Sequence, residues 1–125
     1  MKNIYIVMLS LILLFTVTAS GVFASGKEYG QEISNRQVTA IKDILADPKG
    51  YDGKTVTIEG VISSECPSGC WLYVKVTDGN AEIYVDIAPG GFAIPQETGH
   101  RVLVEGKVVL KQTGPMIMGK GVEIN

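Results

Sequence analysis

From Thr55 onward, apolar and polar residues alternate with a period of two, the pattern of strands that lay one face on a core. Val56 and Ile58, with Val61 beyond them, oppose Thr55, Thr57 and Glu59. Leu72, Val74 and Val76 alternate with Trp71, Tyr73, Lys75 and Thr77, and Ile83, Val85 and Ile87 alternate with Glu82, Tyr84 and Asp86. Between these two runs, Asp78-Gly79 predicts a two-residue hairpin, because Gly accepts the positive φ such a turn needs. A Pro/Gly-rich stretch from 88 to 99 leads to a fourth strand, Arg101 to Gly106, with Val102 and Val104 inward. Past Gly114-Pro115, Met116 to Ile124 make a fifth, Gly-interrupted strand. Upstream the period changes: Val38, Ile41, Ile44 and Leu45 recur at helical spacing, and Pro48 with Gly50 ends that helix. The segments 54–60 and 100–106 both end in Glu-Gly, and a Gly inside a strand permits the bend that closing a small barrel requires.

The first 24 residues follow neither period. Lys2, an apolar stretch from Ile4 to Val17 and the ending Val22-Phe23-Ala24 form the three parts of an export signal, with cleavage expected after Ala24. The apolar run is shorter than the roughly 20 residues of a bilayer span, so no stable membrane span is expected after cleavage. Residues 25 to 37 are polar and aperiodic and read as a flexible leader, which leaves 38 to 125 as one small domain. Export places the chain in the periplasm or outside the cell, where a disulfide can persist.

Composition narrows the function. The chain carries 11 Lys+Arg against 13 Asp+Glu, a formal charge of -2 that loss of Lys2 with the signal makes more negative. A mildly acidic domain is poorly suited to nonspecific phosphate binding. The 15 Gly and five Pro agree with strands and turns. No Ser-His-Asp arrangement or phosphate-binding loop is present, and a noncatalytic protein is expected.

The run from Ile44 to Pro48, the segment from Tyr51 to Gly60, Gly69-Cys70-Trp71 and the stretch from Pro115 to Ile124 resemble small exported bacterial OB-fold domains. The resemblance spans residues 38 to 125 and implies an all-β, five-stranded barrel with one short helix before it. It also implies a ligand face on the second and third strands, bordered by the loops between strands one and two and strands four and five. Related OB domains of tRNA and helicase proteins bind nucleic acid, but a fold does not carry that activity with it. The helix expected between the third and fourth strands is replaced here by residues 88 to 99, so one barrel end should be capped differently.

Three groups of residues could carry chemistry. Cys66-Pro67-Ser68-Gly69-Cys70 holds two thiols in a loop flexible enough to close a disulfide. The same pair could instead bind a soft metal, Cu(I) or Zn, or exchange thiols. Met116 and Met118 lie two apart on a strand and could add thioether ligands, as could His100, the only histidine; packing is the alternative for the methionines and solvation for the histidine. Trp71, Tyr73 and Tyr84, with Lys75, fall on the outer side of the second and third strands. Such rings beside a cation suit a small ligand, a peptide, a partner protein or unpaired bases, while Glu82 and Asp86 on the same side oppose phosphate. Alternatively the rings pack beneath the leader and the helix.

Overall fold

A computed structural model describes residues 26–125, so the signal and its cleavage point lie outside the described residues. Six strands form one sheet: β1 (Lys27–Gly30), β2 (Thr55–Glu65), β3 (Trp71–Lys75), β4 (Glu82–Asp86), β5 (Arg101–Lys111) and β6 (Gly114–Ile124). Two short helices, α1 (Ile41–Ala46) and α2 (Pro48–Tyr51), precede β2. The last five strands close on themselves in the order β2-β3-β4-β6-β5, with β5 returning to β2. All neighbours in this barrel are antiparallel except β4 and β6. Among the described residues no helix is long and apolar enough to cross a membrane.

The alternation places the core. Val56, Ile58, Leu72, Val74, Ile83, Val85, Ile87, Val102 and Val104 are buried together, joined by Val108 of β5 and Ile117, Val122 and Ile124 of β6. Val76 packs partly buried at the core's edge. Val61, expected inward, is instead half-buried and Ile62 takes the interior position, because strict alternation from Val56 passes through Gly60 to Ile62. Gly60 and Gly106 occupy the places the two repeated segments suggest. A Cβ on Gly60 would collide with the Lys75 carbonyl and one on Gly106 with that of Met118, and a register shift in the β5–β6 ladder falls at Glu105/Gly106.

The turn after β3 departs from expectation. Val76 N donates to the Ala81 carbonyl at 2.9 Å, leaving four residues in the loop, and Gly79 does not take a positive φ. α1 ends at Ala46; Pro48 then opens α2, where its missing N–H costs nothing, and Asp47 caps it by accepting from Gly50 N at 3.2 Å. Ile41 and Ile44 enter the core at the barrel end where β2, β4 and β6 begin, while Val38 and Leu45 stay exposed. At the opposite end, the 88–99 segment inserts Ile94.

The segment expected as a flexible leader is tied down. β1 pairs antiparallel with β6 from Lys27↔Ile124 to Gly30↔Gly121, beyond the point where β4 has stopped pairing with it. Ile33 is buried, and residues 34 to 39 strap across the outside of β2 and β5. Buried Glu105 accepts from Ser34 Oγ at 3.0 Å and Asn35 N at 3.0 Å, and Thr57 Oγ1 donates to the Asn35 carbonyl at 2.6 Å. Arg36 reaches buried Glu123 at 2.9 Å and Glu28 at 3.3 Å. The hydrogen bond and charge of Glu123 raise the Arg36 pKa above its ordinary value. These polar anchors are why an aperiodic sequence is ordered here: its order comes from carboxylates on other strands rather than from its own hydrophobic pattern.

Candidate ligand-binding face

Because Leu72, Val74, Ile83 and Val85 point into the barrel, the intervening residues of β3 and β4 must point out. The register puts Tyr73 directly opposite Tyr84, Trp71 opposite Asp86 and Lys75 opposite Glu82. The three rings form one cluster: Tyr73 and Tyr84 have centroids 5.3 Å apart at 66°, and Trp71 lies 5.9 Å from each. Edge and tilted contacts of this kind each contribute about 0.5–1.5 kcal/mol beyond buried area. All three rings stay half-buried. The Tyr84 phenol is pushed above its usual pKa, first by burial and then by Asp86 and Tyr73. Glu82 accepts from Ser63 Oγ at 2.9 Å and Asp86 Oδ1 accepts from Ala88 N at 3.2 Å, whereas Lys75 makes no ion pair among the described residues.

The face continues past β4. Tyr84 stands beside Met116 and Asp86 beside Met118 across the parallel seam, and these methionines face Val109 and Lys107 of β5. Ile117 between them is fully buried, so both methionines lie on the outer side, half-buried, and outside the core. The N-terminal strap covers the other side of the barrel, over Thr57, Glu105 and Glu123, and does not cover the rings. Leu45 of α1 borders Tyr73 and Tyr84.

The Cys loop joins β2 to β3 next to Trp71. Cys66 and Cys70 lie at disulfide distance with Cα atoms 5.6 Å apart. Gly69 takes φ +76° there, and a Cβ on it would strike the Ile94 carbonyl. The loop is also the anchor for residues 88–99: the Cys70 carbonyl accepts from Ile87 N and Ala88 N at 3.2 Å, and Gln96 Nε2 donates to the Cys66 carbonyl at 2.7 Å. This is how that end, where a single 3-10 turn (Ala88–Gly90) stands between β4 and β5 in place of an α-helix, is closed.

The residues considered for a metal are not gathered. Cys66 and Cys70 sit in the β2–β3 loop, while Met118 pairs with Lys107, far along β5 from His100. His100 is held between Glu97 Oε2 at 3.0 Å and the Asn125 carbonyl at 2.9 Å. Among the described residues no three His, Cys, Asp or Glu side chains form a metal-sized group. Sequence reasoning missed the strap and the placement of Met116 and Met118 beside the rings. Glu105, a carboxylate amid the apolar run of β5, was the available sign that something polar covers that side.

No protein-family model matches the chain, and no curated protein does. Among solved structures it is similar to asparaginyl-tRNA synthetase from Pyrococcus horikoshii, with TM-score 0.51 and 16% identity over 70% of this chain and 23% of that one. It is similar to the OBody AM1L10, solved bound to hen egg-white lysozyme, with TM-score 0.52 and 16% identity over 75% of this chain and 96% of the OBody. The E. coli hypothetical protein ygiW aligns at TM-score 0.49 and 22% identity over 71% of this chain and 90% of its own. The chain thus spans under a quarter of the synthetase's length. The strand order, the parallel β4–β6 seam and the first two of these likenesses give this chain the OB fold.

Proposed function

We propose that this chain is an exported, noncatalytic binding module of the cell envelope, periplasmic or secreted, that holds a small ligand or partner protein on the outer face of β3 and β4 beside the Cys66/Cys70 loop. The observation that carries this reading is the Trp71–Tyr73–Tyr84 cluster, three packed rings left half-exposed while the chain's own strap covers the opposite side. That an OBody of the same fold was solved bound to lysozyme supports a protein partner as one use of such a barrel.

Single-stranded nucleic acid is the second reading, favoured by Lys75, Lys107 and Lys111 on the same face as the rings and weakened by the net charge of -2. A Cu(I) or Zn role for Cys66 and Cys70 would need the pair reduced, and a thiol-exchange role would need it to cycle between disulfide and dithiol with an external thiol pair. Immobilised wild-type and Tyr73→Ala/Tyr84→Ala chains, compared for capture from an envelope extract, test the leading reading. Retention that disappears with the two rings is expected, and retention indifferent to them contradicts it. In parallel, emission of Trp71, the only tryptophan, is followed against single-stranded oligonucleotide at low salt; salt-sensitive binding in the micromolar range would install the second reading instead.

A further inference from the structure

A hollow of about 450 Å³ opens at one end of this face, walled by Leu45, Tyr73, Tyr84, Pro115 and Met116. Its position follows from the register: Tyr84 pairs with Met116 across β4–β6, and the β5–β6 hairpin brings Lys111 opposite Gly114 at its rim. The volume falls within the roughly 300–1,000 Å³ of small-molecule sites. Its walls are two phenol rings, a thioether and apolar carbons, surfaces that favour a flat ring.

Two charged groups stand at the rim. Glu82 reaches across β3, where its carboxylate accepts a hydrogen bond from Ser63 Oγ of β2 at 2.9 Å, on the side of the hollow away from β6. Lys111 makes no ion pair among the described residues. The two charges thus stand on opposite rims, the negative one toward β2 and β3 and the positive one on the β5–β6 side.

We infer that the hollow takes a planar aromatic anion, one or two rings bearing a carboxylate, sulfonate or phosphate, with the ring against Tyr84 and Met116 and the anion on Lys111. The inference rests on the proposed ligand face and adds the chemical class that this end of it selects.

The test uses two probes with the same rings, anilinonaphthalene sulfonate and uncharged phenylnaphthylamine, titrated by their own fluorescence into the folded chain. The sulfonate should bind roughly fivefold tighter than the neutral probe, and Lys111→Gln should remove that advantage while leaving the neutral probe unchanged. Tyr84→Ala should weaken both, and Lys27→Gln, at the far end of the barrel, should change neither. Equal affinities in the wild type, or an advantage that survives Lys111→Gln, would overturn the inference. If Tyr84→Ala also leaves both probes unaffected, the ligand face itself fails, so the two failures are distinguishable.

Discussion

The two outer sides of this barrel are built from the same alternating strands and end in opposite conditions. Over β2, β5 and the end of β6, the outward residues Thr57, Glu105 and Glu123 are buried because the N-terminal strap hydrogen-bonds to them. Over β3, β4 and the start of β6, the outward residues include three rings and two thioethers, beside Lys75, Glu82 and Asp86, that the strap leaves half-buried or exposed. The side carrying the polar anchors, with Leu103 among them, is closed by the chain, and the side carrying the rings and thioethers is left open. A chain that covered its surface only to bury apolar area would do the reverse. The difference therefore separates a side closed by the chain itself from an open side, on which the proposed ligand face lies.

The largest predicted effect breaks the closed side. Glu105→Ala leaves the Ser34 hydroxyl and the Asn35 amide without their acceptor, and denaturant unfolding should show a loss of about 3 kcal/mol. Proteolysis should then cut between residues 26 and 39. A loss below about 0.5 kcal/mol would mean that the strap is not held by this carboxylate.

The next effect concerns the loop that borders the open side. Replacing Cys66 and Cys70 by Ser should cost about 2 kcal/mol, because a disulfide across so short a loop removes little unfolded-state entropy. Ligand capture should fall more than stability does. Intact-mass analysis with alkylation tests the bond itself, and a loss above about 3 kcal/mol would make the pair a structural staple.

Removing rings from the open side should cost less. Tyr73→Ala/Tyr84→Ala removes all three ring contacts and is expected to lower stability by about 1.5 kcal/mol, the low end for three pairs, since the rings stay half-exposed. A loss comparable to that of Glu105→Ala would show that the open side is structural as well, and the contrast would collapse.

The smallest effect is a titration. Since the Tyr84 pKa is raised in the folded state, the fold favours the protonated phenol. Its contribution is complete below the unfolded tyrosine pKa and is lost as pH rises through the folded one. Absorbance titration should show one tyrosine ionising later than the others, and Tyr84→Phe should remove that late step. Simultaneous ionisation of all tyrosines would mean that the ring is more exposed than the structure places it.

Period-two alternation carried most of the barrel into view, since an inward Leu72 or Val85 dictates an outward Tyr73 or Tyr84 on the same strand. It erred where parity ran through a glycine: Val61 looked like the next apolar residue, but Ile62 holds the correct phase. The strap could not be read from residues 25 to 37, because what orders it is Glu105 and Thr57, distant in sequence. The β3–β4 turn was missed because Asp78-Gly79 admits a positive φ without requiring it. Of the candidate site, the three rings were legible from alternation. Their extension to Met116 depended on the parallel pairing of β4 with β6, which joins strands separated by the whole of β5.

Hydroxyl-radical footprinting of the chain with and without envelope extract tests the central claim most directly, because tryptophan, tyrosine and methionine are the residues it labels best. The account predicts that Trp71, Tyr73, Tyr84, Met116 and Met118 are labelled in the free chain and protected together by the extract, while Tyr29 and Tyr51 keep their labelling. Protection of Tyr29 or Tyr51 with the β3–β4 rings unchanged would contradict it.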